Sequence, residues 1–210
     1  DGVNFCNGTS ASTITQSNFR NTGDDSMASW STGGTNNADS FTWNTVQCTW
    51  RADAIAVYGG TNYTISNNLC TDTLDQAGIM VQYGFTPIAG FGGTNTLTNN
   101  QLLRCGGYFS GNYGAFNFWA NSGAIGGTWN ITSMDSESST YEGIEFDGGN
   151  SINGVTYTNS VCNNSGTYGV QVGSGTSGGA TFNSTNMNGS ASGAFTNAGS
   201  MSLTRNSCNW

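Results

Sequence analysis

A short apolar strand returns along this chain at a nearly fixed interval, and that return limits the folds open to it more than any other feature. The strand recurs at residues 2–5, 26–30, 54–58, 78–83, 114–118, 143–146, 169–172 and 193–195. The residue before each copy is Asp1, Asp24, Asp53, Ala77, Tyr113, Glu142, Tyr168 or Ser192, so the steps are 23, 29, 24, 36, 29, 26 and 24. A second strand follows each first one, at 12–19, 41–46, 63–66, 96–103, 128–132, 154–157, 180–184 and 200–203. Apolar residues alternate with polar ones in these runs, the period of a strand, and no run has helical spacing. A unit of 23 to 30 residues that cannot bury its own apolar face buries it by stacking on its copies. The expected fold is all-β: a right-handed parallel β-helix (β-solenoid) of about eight coils, with residues 1–210 as a single domain. An antiparallel sandwich would instead show hairpin dipeptides every 8–12 residues or so. The longest step contains residues 85–93 with the only proline, Pro87, and is expected to be a loop inserted on one face.

A chain this rich in Gly, Asn, Ser and Thr could remain disordered, but 12% of its residues are aromatic, enough to build a core. Its few charges sum to −8 with no Lys and no His, and the four cations are Arg20, Arg51, Arg104 and Arg205. That balance excludes nucleic acid, anionic membranes and polyanionic substrates, all of which require basic patches. An uncharged partner fits best. No run approaches the eighteen or so apolar residues of a membrane span.

Six cysteines accompany six N-glycosylation sequons, at Asn7, Asn62, Asn130, Asn163, Asn183 and Asn188. With the missing Lys they suggest a secreted, extracellular chain, carrying N-glycans if its source is eukaryotic. Cys48, Cys70, Cys105, Cys162 and Cys208 each follow a second strand. Equivalent positions in adjacent coils lie about 4.8 Å apart, so a Cys48–Cys70 disulfide is geometrically open, as is a ladder of free thiols. The pairs Asn67-Asn68, Asn99-Asn100 and Asn163-Asn164 suit stacked amides at turns, where left-handed backbone is tolerated.

The chemistry is concentrated at the start. Asp1 and Asp24 share the position before the strand, and Asp25 comes next. Crowded like charges resist joint ionisation, so one carboxyl keeps its proton beside ionised neighbours. A protonated acid and a carboxylate base are what hydrolysis of a glycosidic bond needs; the alternative is a solvated turn over residues 21–25. Trp30, Tyr58, Tyr83 and Trp119 end or follow successive first strands and could stack on sugar rings, and Asp53 could bind sugar hydroxyls or tune Asp24. Asp135, Glu137, Glu142, Glu145 and Asp147 form a second acidic patch, expected to be a solvated face and not a metal site. No metal or cofactor is called for.

The stretch Asp1-Gly-Val-Asn-Phe5, followed by Ser17-Asn-Phe-Arg-Asn-Thr-Gly-Asp-Asp-Ser-Met-Ala-Ser-Trp30, resembles the catalytic stretch of glycoside hydrolase family 87, the α-1,3-glucanases (mutanases) and mycodextranases. The resemblance is specific over residues 1–31 and becomes a general β-helix likeness beyond them. It implies a right-handed parallel β-helix and inverting, endo-type cleavage of a neutral α-glucan such as α-1,3-glucan or nigeran. By position, Asp24 resembles the general acid, and Asp1 with Asp25 the pair that activates water. It also implies coils ahead of Asp1. The polygalacturonases use a similar trio of Asp but need His and Lys or Arg for the galacturonate carboxylate, and pectate lyases need Ca²⁺ and a basic Arg. Two readings without catalysis stand beside it: a structural or adhesive β-helix module, and a carbohydrate-binding one.

Overall fold

The structure, a computed structural model, describes all 210 residues and contains no helix. The chain winds through eight coils whose strands stack into three long parallel sheets, beside a two-stranded one of Gly60–Thr61 and Phe91–Gly92. The first sheet holds the eight predicted recurrent strands, Val3–Cys6, Met27–Trp30, Ile55–Tyr58, Ile79–Gln82, Phe116–Trp119, Ile144–Asp147, Tyr168–Val172 and Gly193–Asn197, in sequence order. Each pairs only with its copies above and below, which excludes the antiparallel sandwich. Connections between parallel strands of one sheet are right-handed, and the architecture is a right-handed parallel β-helix.

The predicted second strand is in several coils two strands. Thr13–Thr15 lies in the second sheet and Asn18–Arg20 in the third; Ser40–Thr42 and Thr45–Gln47 divide likewise, as do Thr94–Thr98 and Gln101–Leu103. Between them the chain turns on one left-handed residue, Gln16, Trp43, Asn67, Asn99, Ser133, Asn159 or Ser184, and Ser207 repeats the turn after the last second-sheet strand, with φ between +48° and +60°. Such a backbone costs a non-glycine residue about 1–2 kcal/mol, and an internal amide ladder offsets part of that cost. Asn44 Nδ2 donates to Asn68 Oδ1 at 3.0 Å, and Asn68 Nδ2 donates to Asn100 Oδ1 at 3.0 Å. The same amides donate to the carbonyls of Ile14 and Phe41 and accept from backbone N–H groups of the neighbouring coil. The stacked amides expected at Asn68 and Asn100 are therefore present, and Asn163 accepts a similar bond from Asn188 at 2.9 Å.

The inward residues of the three sheets form one apolar core along the axis, which includes Ile14, Phe41, Val57, Ile79, Phe118, Trp129, Tyr157 and Phe182. Aromatic rings stack from coil to coil, Phe118 on Phe146 at 5.4 Å and Tyr157 on Phe182 at 5.0 Å. The cysteines do not all share a column, although Cys70 and Cys162 do. Cys70 and Cys162 lie within third-sheet strands, Cys48 is exposed on a left-handed corner, and Cys105 is buried one residue beyond such a corner. All six are free thiols, so the Cys48–Cys70 bridge is absent and the alternative of unbridged thiols holds.

Candidate active site

The strand register keeps Asp1 and Asp53 in the expected column but puts Asp25, not Asp24, between them. Val3 pairs with Met27, and Met27 with Ile55. Counting back two residues stacks Asp1, Asp25 and Asp53, and leaves Asp24 one position ahead of the column. The backbone bonds agree: Gly2 N donates to the carbonyl of Asp25 at 2.8 Å, and Ser26 N to that of Asp53 at 2.9 Å. Asp24 turns outward from the bend before the strand, and its Oδ1 accepts the N–H of Asp25 at 3.1 Å. The bend thus brings both members of the Asp24-Asp25 pair to one side. One carboxylate oxygen each from Asp1, Asp24 and Asp25 lies within 4.8 Å of the other two.

The three acids differ in surroundings. Asp1 is exposed and accepts from Asn4 Nδ2 at 2.8 Å. Asp25 is 4% exposed. Its Oδ1 accepts the N–H of Asp53 at 3.0 Å and its Oδ2 the hydroxyl of Tyr58 at 2.7 Å. Burial pushes the Asp25 carboxyl up to about 6 and the nearby charge of Asp24 adds to this, while the two hydrogen bonds pull the other way. The Tyr58 hydroxyl is pushed up too, by burial first and then by the charge of Asp25, so it remains a donor.

These residues line a cleft of about 350 Å³ on the outer side of the first sheet. Of the residues proposed from sequence, Asp1, Asp24, Asp25, Trp30 and Tyr58 meet there. Trp30 Nε1 and Asn4 Oδ1 belong to residues in its wall, and both atoms are buried without a partner in the protein.

Three proposed residues lie elsewhere. Asp53 is fully buried behind Asp25, where it cannot touch a sugar; its Oδ1 accepts the N–H of Ala77 at 2.6 Å and its Oδ2 has no partner. Burial, and then the charge of Asp25, push its carboxyl well above the usual range. Tyr83 packs against the core and is absent from the cleft wall. Trp119 faces a second, smaller cavity. The second acidic patch is not uniformly solvated either: Glu142 and Glu145 are buried.

The cleft also contains Arg51, Asp75, Gln76, Phe85 and Phe109, which the repeat pattern did not reveal. Phe85 comes from the inserted loop and meets Tyr58 edge-on at 5.3 Å. Phe109 comes from residues 106–113 of the same long step, where glycines bracket the pair Tyr108-Phe109. That glycine-framed aromatic pair was the available signal.

The chain matches the family model described as alpha-1,3-glucanase catalytic domain D2 over residues 1–206. Among solved structures, the catalytic unit of the thermostable GH87 alpha-1,3-glucanase from Streptomyces thermodiastaticus strain HF3-3 superimposes with a TM-score of 0.89 at 27% identity, over 100% of this chain and 42% of that one. The catalytic domain of a GH87 alpha-1,3-glucanase in complex with nigerose does so with a TM-score of 0.83 at 26% identity, over 99% of this chain and 42% of that one. The Agl-KA catalytic domain gives 0.88 at 26% identity, over 97% and 39% respectively. This chain therefore spans about two-fifths of the solved catalytic domains it matches. No curated protein matches it. A parallel β-helix with three converging aspartates and a family match along nearly its whole length places this chain in the alpha-1,3-glucanase catalytic-domain family of glycoside hydrolase family 87.

Proposed function

We propose that this chain supplies the catalytic face of a secreted, inverting glycoside hydrolase that cleaves α-1,3-glucosidic bonds within a neutral α-glucan. The observation that carries the proposal is the convergence of Asp1, Asp24 and Asp25 in one cleft walled by Trp30 and Tyr58. A purely structural or adhesive module would have no use for that convergence. The solved relatives add support. Three of the sugar complexes carry alanine in place of one aspartate each, and those positions are separated by 23 residues and then by one. Asp1, Asp24 and Asp25 repeat the spacing (24 − 1 = 23; 25 − 24 = 1).

The hydrogen bonds favour the division of roles that the resemblance implies. Both oxygens of Asp25 already accept from fixed donors, an arrangement that favours the ionised form and suits a base. Asp24 has one oxygen free of protein partners and faces the cleft. In this reading Asp24 gives its proton to the glycosidic oxygen as the C1–O bond breaks. Asp25 and Asp1 take a proton from a water that attacks C1 from the opposite side, leaving the inverted anomer. The carboxylates stand closer than the roughly 6.5–9.5 Å usual for a single acid and base in inverting enzymes; here two residues share the water.

Reducing-sugar release from insoluble α-1,3-glucan and from nigeran, by the full-length protein and by Asp24→Asn, tests the reading. The expected loss is about 10²–10⁴-fold with sugar binding retained. NMR of the first product should show the β-anomer, and a rapid fall in polymer length should mark endo action. Absence of hydrolysis by the native protein on both glucans would overturn the enzyme assignment, and an α-anomer as first product would overturn inversion.

A further inference from the structure

Outside the catalytic cleft, the outer side of the first sheet carries a second cavity of about 160 Å³, walled by Tyr113, Asn117, Trp119 and Asp147 together with residues 110–112. It lies on the same row as the cleft. Cys6 pairs with Trp30 and Trp30 with Tyr58; further along, Gln82 pairs with Trp119 and Trp119 with Asp147. Val57 pairs with Val81, so Tyr58 and Gln82 continue one line. With strands about 4.8 Å apart, Trp119 stands about 10 Å along the axis from Tyr58, and Asp147 about 14 Å. Residues 106–113 form the partition, with Phe109 on the cleft side and Tyr113 on the cavity side.

The cavity is built around a fixed amide. Asn117 is 2% exposed; its Nδ2 donates to Glu145 Oε2 at 2.8 Å and its Oδ1 has no partner. Glu145 is itself held, by Gly114 N at 2.9 Å and by Gln171 Nε2 at 3.3 Å. That chain of bonds turns the amine of Asn117 inward and leaves its oxygen as the unused end. Asp147 makes no side-chain hydrogen bond within the protein, and the Trp119 ring stands edge-on to Tyr113 at 5.6 Å.

This set selects a ligand class. Asn117 Oδ1 and the Asp147 carboxylate are acceptors without a protein partner, which suits a ligand that brings hydroxyl donors. No cation lines the cavity, which excludes an anion. One carboxylate and one amide oxygen fall far short of the six to eight oxygens a calcium ion takes. An aromatic wall beside two acceptors fits the face and hydroxyls of one neutral sugar ring.

We infer that Asn117, Trp119 and Asp147 form a distal subsite that holds a single glucosyl unit of the substrate, a few units along the chain from the bond cut at Asp24. The inference rests on the enzyme reading of the cleft, and it makes long chains better substrates than short ones.

The test uses the full-length protein. Asp147→Asn, which keeps the side chain's shape, and Trp119→Ala are compared with native for kcat/KM on α-1,3-linked oligosaccharides of increasing length. The expected result is a drop of about tenfold in the preference for long over short substrates, carried by KM with kcat nearly constant. Tetrasaccharide titration of Asp24→Asn with and without Asp147→Asn gives a readout independent of turnover, with at least fivefold weaker binding expected. Native hydrolysis with an unchanged length preference in both variants, together with unchanged titration, would overturn the subsite and leave the enzyme assignment standing. Failure of native hydrolysis would remove the enzyme assignment alone, and the titration would still decide whether the cavity binds sugar.

Discussion

The Tyr58 hydroxyl donates to Asp25 Oδ2 at 2.7 Å from the strand stacked on the one that Asp25 leads into. The bond crosses from one coil to the next, so the state of the proposed base depends on a neighbouring turn of the solenoid. It stabilises the ionised carboxylate against the burial that pushes Asp25 up to about 6.

Tyr58→Phe removes that donor and keeps the ring. A hydrogen bond to a charged group contributes about 1.5–3 kcal/mol, and about 1.4 kcal/mol corresponds to one pH unit. Losing it raises the Asp25 carboxyl further, so the acidic limb of the rate profile should move to higher pH by about one unit. A kcat/KM profile between pH 4 and 8 reads this directly, and an unmoved limb would take Asp25 out of the base role.

Asp53 is fully buried, and burial favours its neutral form. Asp53→Asn should therefore stay within about 1 kcal/mol of native at pH 7, because the amide copies the shape of the neutral acid and still accepts from Ala77 N–H. Asp53→Ala leaves that N–H without its acceptor and should cost about 1–3 kcal/mol more. Denaturant midpoints compare the two; equal losses would argue that Asp53 is ionised in the fold.

Asn68 occupies the middle of the buried amide ladder, accepting from Asn44 and donating to Phe41 O and Asn100 Oδ1. Asn68→Ala strands several buried partners at once, and a loss of about 2–4 kcal/mol is expected. Asn188→Ala, in an exposed amide pair, should change stability by no more than about 0.5 kcal/mol. Urea unfolding of both variants checks the contrast.

Glu145 is raised to about 8, by burial first and then by the charge of Glu142. Folded protein therefore binds a proton there that the unfolded chain, with its carboxyl near 4.5, has lost. Stability should fall as pH rises from about 4.5 to about 8. Each kcal/mol lost lowers Tm by about 2–4 °C in a domain of this size. Glu145→Gln should flatten the decline, and a Tm that rises from pH 5 to pH 8 in the native protein would contradict it.

The first sheet was legible in the sequence because its strands are apolar on one side and recur with every coil. The third sheet was not. At Gln16, Trp43 and Ser133 the chain turns a corner without glycine or proline, and polar–apolar alternation runs through the bend as if the strand continued. The same limit put Asp24 in the place that Asp25 holds between Asp1 and Asp53. Asp24 and Asp25 are adjacent, and only the backbone bond from Gly2 N to Asp25 O distinguishes which of them stacks on Asp1. The aspartates and Trp30 could be found because they sit in or beside the repeat. Phe85 and Phe109 belong to loops with no counterpart in other coils, so periodicity held no information about where they would land.

The stacked register has a consequence for how such a site can diversify. The separations among Asp1, Asp25 and Tyr58 are set by the strand-to-strand rise of the backbone, which no side-chain substitution lengthens or shortens. The loops over the outer face obey no such rule: residues 85–93 and 106–113 rise from it and return to the same register. Descendants of this chain can therefore exchange those loops, and with them the grip on the polymer, while the reacting groups keep a fixed gauge inherited from the coil itself.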